Sequence, residues 1–168
     1  MRLSRAMTGL IGGTVAAMIS LPASAEQVSL NGVSQFRLEN ADKEPENWLT
    51  VFQNYSAHSF SRLDQINRDN VANLRPVFAV PISTAIDIGG NAQLKGRPLV
   101  DGGMMFFEDG WGTMYKVDVT SGDRGVVLWK ADPGVSRDES RRTRGIAMWG
   151  DKVYGNQVDG RVTAMDRS

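Results

Sequence analysis

Residues 105–118, MFFEDGWGTMYKVD, and residues 153–166, VYGNQVDGRVTAMD, are two copies of one pattern. In the first, Met105-Phe106 is followed by Gly112 and then by Tyr115-Lys116-Val117-Asp118. In the second, Val153-Tyr154 is followed by Gly160 and then by Thr163-Ala164-Met165-Asp166, each position 48 residues after its counterpart. An apolar strand, a glycine turn and a second apolar strand ending in Asp spell a β-hairpin, read twice. Short strands that repeat every ~40 to 50 residues have the spacing of β-propeller blades. Two unrelated hairpins in a small sandwich are the alternative reading of this pattern taken by itself.

The composition points the same way. The 18 glycines, many in Gly-Asp or Asp-Gly pairs, suit a turn-rich all-β chain, because glycine supplies the positive φ that tight hairpin turns need. Lys and Arg balance Asp and Glu at 19 each, which gives no electrostatic footprint for nucleic acid or an anionic membrane. There is no cysteine, hence no disulfide and no thiolate chemistry.

Residues 1–25 read as a secretory signal peptide: Arg2 and Arg5 form a positive n-region, Met7 to Leu21 an apolar h-region, and Ala23-Ser24-Ala25 an A-x-A cleavage site. The h-region is interrupted by Gly9, Gly12, Gly13 and Ser20 and is short for ~30 Å of hydrocarbon, so a cleaved leader, periplasmic export and no membrane span in the mature chain are expected. Residues 26–46 are polar and unpatterned and read as a flexible lead-in. The aromatic stretch Trp48 to Leu74 predicts one short helix near 68–73 with Asn67 as N-cap. Val77 to Ile82, bounded by Pro76 and Pro81, reads as an edge strand.

The first copy of the repeat continues through Gly122 to Trp129, whereas the second stops at Asp166-Arg167-Ser168. A blade cannot bury both faces of its sheet without neighbours, and fewer than about three repeats rarely suffice. The expectation is therefore a piece of a propeller, marginal in isolation and truncated at its C-terminus.

From Trp48 onward the chain resembles the quinoprotein alcohol dehydrogenases. The resemblance rests on Trp48-Leu49, on Tyr55-Ser56, on the run Leu63-Asp64-Gln65-Ile66-Asn67-Arg68-Asp69-Asn70-Val71-Ala72-Asn73-Leu74, and on a tryptophan-docking repeat seen as Asp118, Ser121-Gly122 and Trp129. It implies an eight-bladed propeller, of which residues 47–168 would hold the leading segment, about one blade and the start of the next. An indole at the end of one blade's strand can lie on the neighbouring blade and bury ~150 to 250 Å², so Trp129 reads as packing, as do Trp111 and Trp149.

The resemblance also implies pyrroloquinoline quinone as cofactor, with calcium or another metal. Arg144-Gly145 matches the Arg-Gly whose arginine meets the quinone oxygens in that family. A guanidinium suits the place because reduction of an ortho-quinone builds negative charge on those oxygens. Read without the family, Arg141, Arg142 and Arg144 beside Asp138 and Glu139 form a solvated, salt-bridged loop. Two departures matter. The family's vicinal cysteine pair falls on Asp138 and Glu139, and a cofactor-contacting acid falls on Lys95, which would pair instead with a cofactor carboxylate. Lys95 and Arg144 are thus the candidate cofactor residues. His58 has no His or Cys partner nearby in sequence, so no metal ligand is assigned, and the family's catalytic base lies in later blades.

Leader, repeat and resemblance together imply an N-terminal part of a periplasmic dehydrogenase for an alcohol or polyol, delivering electrons to a cytochrome or quinone acceptor, and inactive as this fragment. A non-catalytic propeller scaffold and the remnant of a disrupted gene are the alternatives.

Overall fold

The computed structural model describes residues 32–82, 94–136 and 143–168. The expected leader at 1–25 and the pair Asp138 and Glu139 lie outside the described residues. Strands β1 (Leu99–Asp101), β2 (Met104–Glu108), β3 (Met114–Asp118) and β4 (Val126–Ala131) form a four-stranded antiparallel sheet in sequence order. Strands β5 (Ile146–Trp149), β6 (Lys152–Asn156) and β7 (Val162–Asp166) form a second, three-stranded one.

The repeat holds down to individual hydrogen bonds. Met104 pairs with Asp118 and Lys152 with Asp166. In the first hairpin Asp109 N donates to Thr113 O at 2.9 Å and Gly112 N to Asp109 O at 3.0 Å. In the second, Gln157 N donates to Arg161 O at 2.8 Å and Gly160 N to Gln157 O at 3.0 Å. Gly112 and Gly160 both turn at positive φ, 78° and 89°, a region that side chains with a Cβ rarely enter.

Side chains alternate across each strand, and the face that carries Leu99, Phe106 and Met114 packs against Ile146, Met148 and Val153. Val33, Leu38 and Leu49 of the leading segment close this core. Fully burying an aliphatic or aromatic side chain of this size contributes ~1.5 to 3 kcal/mol, so the sheet-on-sheet contact is the main source of stability. Trp129 in β4 lies against Phe106 of its own sheet, with ring centroids 6.3 Å apart.

Three local expectations need correction. The lead-in is not unpatterned beyond residue 32. Val33 forms an antiparallel bridge to Gly150, Ser34 caps the five-residue helix α1 (Gln35–Glu39) by accepting from Arg37 N, and a 3₁₀ turn follows at Ala41–Lys43. Five residues cannot hold a helix in water, so α1 exists because Leu38 is buried in the core and Arg37 is paired. The helix near 68–73 reduces to one 3₁₀ turn, Val71–Asn73, with Val71 N bonded to Asn67 O at 2.9 Å. Nothing in it is buried, so no packing extends it. Residues 77–82 form no strand. Instead Val80 and Phe78 lie over Gly125, where an added Cβ would come within 2.4 Å of Val80 Cγ2. Pro76 and Pro81 lack the N–H groups a ladder would use, and side-chain packing replaces it.

One ion network ties the leading segment to both sheets. Asp101, at the end of β1, accepts from Arg37 at 2.7 and 3.2 Å and also from Arg167, just beyond β7. Arg37 in turn donates to Glu44. Burial pushes the Asp101 carboxyl up, but the hydrogen bonds from Arg37 and Arg167 outweigh it and hold the group below its ordinary range. Asp101→Ala, which takes from Arg167 its carboxylate partner and from Arg37 one of two, is expected to cost about 3 kcal/mol of unfolding free energy. A lower urea midpoint with an unchanged slope checks it.

Candidate functional site

Lys95-Gly96-Arg97 leads into β1 as Thr143-Arg144-Gly145 leads into β5. The two leads run side by side: Arg97 forms a parallel bridge with Gly145, and a Cβ on Gly96 would stand 2.9 Å from Gly145 Cα. The close approach requires glycine at 96, and at 145 it is the backbone conformation, φ 119°, that favours it. Lys95 and Arg144, the two residues assigned to the cofactor from sequence, each precede one of these glycines and are exposed. The structure therefore sets both on one rim made by the two adjacent leads, along which Arg97, not singled out from the sequence, is also exposed. Arg97 is tethered to the leading segment: it donates to Val51 O at 3.2 Å and Ser59 Oγ at 3.0 Å, and lies 5.0 Å from the centre of the Phe52 ring.

Behind the rim is a polar layer of buried side chains. Glu108, the last residue of β2, is 1% exposed, and its Oε1 accepts from Gly145 N at 2.9 Å. Its Oε2 accepts no hydrogen bond from the described residues. Burial pushes this carboxyl up to about 7, against the pull of the Gly145 N–H and the Thr143 hydroxyl and with a further push from Asp109. Asp109, also buried, accepts from Trp111 N, Thr113 N and the Tyr115 hydroxyl, while its backbone carbonyl accepts from Thr143 Oγ1 at 2.8 Å. Gln157, the repeat counterpart of Asp109, donates to Thr163 Oγ1 at 3.0 Å and sits over Gly112, where an added Cβ would strike its Oε1. A Cβ on Gly155 would meet Glu108 Oε2 at 3.0 Å.

Sequence reading missed this layer. The available signal was that Glu108 falls two residues after Phe106 in an alternating strand, and so on the inward face. Of the tryptophans, Trp111 is buried, as expected for packing, but Trp149 is 44% exposed and stands outside the core. His58 is exposed, and among the described residues no three His, Cys, Asp or Glu side chains gather as a metal would need.

Two outcomes are expected. Gly96→Ala should displace the Arg144–Gly145 turn, because the atoms it meets are backbone, and an altered Gly145 amide resonance with the fold retained would show it. Glu108 is held protonated more firmly in the folded chain than in the unfolded one, so its contribution is greatest below about pH 5 and is lost as pH rises through 7. Unfolding free energy should fall on the order of 2 kcal/mol between pH 5 and 8, and Glu108→Gln should flatten that slope in denaturant titrations.

The geometry can be set beside known proteins. Residues 48–168 match the family model described as PQQ: glucose/ethanol/alcohol dehydrogenase, beta-propeller domain. The dehydrogenase subunit of alcohol dehydrogenase (quinone) from Komagataeibacter europaeus is 36% identical, over 98% of this chain and 22% of that protein. The quinohemoprotein alcohol dehydrogenase ADH IIB of Pseudomonas putida is 30% identical, over 80% of this chain and 19% of its own length. Among solved structures, the quinohemoprotein alcohol dehydrogenase from Comamonas testosteroni superposes with a TM-score of 0.66 at 29% identity, covering 78% of this chain and 19% of that one. A europium-containing methanol dehydrogenase gives 0.64 at 29%, covering 78% and 23%. The chain spans about a fifth of the length of the curated relatives it matches. By the match of its residues 48–168, the chain belongs to the PQQ-type glucose/ethanol/alcohol dehydrogenase β-propeller family.

Proposed function

We propose that this chain forms the first part of a PQQ-dependent dehydrogenase that oxidises an alcohol-type CH–OH substrate in the periplasm, with Arg144 and Lys95 facing the anionic edge of the quinone. The observation that supports the reading is the close backbone approach of Gly96 to Gly145, which sets the exposed residues that precede them, Lys95 and Arg144, on neighbouring segments. Pyrroloquinoline quinone is flat and carries three carboxylates beside its ortho-quinone oxygens. The residue types suit one edge of such a molecule: Arg144 offers a planar pair of donors and Lys95 a point charge, while the two glycines let the leads that carry them pack together.

When bound, the quinone supplies the two-electron acceptor that no amino-acid side chain provides. This chain's own part is to bind and orient it. Arg144 stabilises the negative charge that reduction places on the oxygens, and Gly145 fixes where Arg144 starts. A calcium ion or another metal is part of the reading as a Lewis acid, but no ligand for it is assigned to this chain. No catalytic base is assigned either, so the chain by itself is read as binding without turnover. The leader pattern at 1–25 supports export to the periplasm. A cytochrome or quinone is the electron acceptor in this reading, in keeping with the names of relatives such as methanol dehydrogenase [cytochrome c] subunit 1 of Paracoccus denitrificans.

An absorbance titration of the full chain with pyrroloquinoline quinone in the presence of calcium tests the reading. Arg144→Ala should weaken binding about tenfold or more, and Lys95→Ala by less. Failure of the unaltered chain to take up quinone, or equal affinity in Arg144→Ala, would overturn it and favour a non-catalytic scaffold.

A further inference from the structure

Glu108 sits where a carboxylate is least welcome. It is buried behind a rim of Lys95, Arg97 and Arg144 that the proposed function assigns to an anion, and one of its oxygens grips Gly145 N while the other accepts nothing from the described residues. The Thr143–Gly145 lead is stitched to the end of β2 at two points, Thr143 Oγ1 to Asp109 O and Gly145 N to Glu108 Oε1. Any change at the Glu108 carboxyl therefore reaches Arg144 through one peptide unit.

We propose that Glu108 is a positioning residue that couples the rim's hold on an anion to a proton: a proton on Glu108 and an anion at Lys95, Arg97 and Arg144 each favour the other. This rests on the reading of the rim as the quinone's site. With the carboxyl ionised, its charge opposes an anion across the Arg144–Gly145 turn. With the carboxyl neutral, that opposition is gone. The charged neighbour that bears on Glu108 from its own strand end is Asp109, whose oxygens are taken by Trp111, Thr113 and Tyr115. From β3 Tyr115 faces Asp109, from the β6–β7 turn comes the neutral Gln157, and from the β5 lead come Thr143 and Gly145 with Arg144 between them. The raised affinity of Glu108 for its proton places the change near neutral pH. Reciprocity then requires that binding the anion take up a proton.

The test uses the full chain and two probes, pyrroloquinoline quinone and pyridine-2,6-dicarboxylate, a planar dianion with no quinone. The Gly145 amide resonance is followed from pH 5.5 to 8.5, and the affinity for each probe is measured at pH 6 and 8. The expected result is a single Gly145 titration near pH 7 and about tenfold weaker binding at pH 8 than at pH 6. In Glu108→Gln the amide should be flat, and affinity at both pH values should match that of the unaltered chain at pH 6. A merely structural role would lower affinity without moving the pH profile. The proposal is overturned if Glu108→Gln keeps the pH dependence, if the unaltered chain binds equally at both pH values, or if neither probe binds. If only the dicarboxylate binds, with the expected pH dependence, the proton coupling stands and the quinone reading falls.

Discussion

The face of the first sheet formed by Leu99, Phe106 and Met114 must be kept from water, and the second sheet's Ile146, Met148 and Val153 are what keep it dry. Each of these six side chains is no more than 5% exposed. Strand period forces their neighbours to point the other way, so the same alternation that builds the core also decides what lies at its end. Glu108 is inward because Phe106 is inward. The two leads meet at Gly96 and Gly145 because two like sheets, packed face to face, bring their first strands alongside each other in parallel. The paired leads and the polar layer are therefore consequences of sheet packing rather than separate inventions.

Much of this was legible in the chain. The 48-residue spacing survives as matched registers, matched turn bonds and matched positive-φ glycines, because a hairpin is local and its turn chemistry is written in a few residues. Helix α1 was not legible, since its stability comes from Leu38 in the core and from a pairing of Arg37 with a residue 64 positions away. Val77 to Ile82 has the composition of a strand, yet composition cannot reveal whether a partner is present to receive its hydrogen bonds. Lys95 and Arg144 came from likeness to a family, and the adjacency of the segments that carry them depends on the bridge between Arg97 and Gly145, which no local pattern announces. Glu108 was overlooked because a glutamate at a strand end ordinarily faces solvent.

The electrostatics of the molecule divide into two kinds of buried charge. Asp101 is surrounded by guanidiniums and remains ionised, joining the leading segment to both sheets. Glu108 has a backbone N–H donor but no cation bonded to it among the described residues, and it holds its proton toward neutrality. The first arrangement fixes a structure, and removing one partner strands the others. The second leaves a group whose charge depends on what approaches the rim, which suits a binding site better than a brace.

The three-stranded sheet has a further implication. In the first sheet β4 covers the outer edge of β3, whereas among the described residues no strand pairs with the outer edge of β7. That edge presents unpaired N–H and C=O groups, with Val162 67% exposed at its start. A bare strand edge is a template for whatever chain arrives with the matching pattern, including a second copy of the same one. The outer edge of β7 is thus the place in this structure where a further strand of matching pattern would pair.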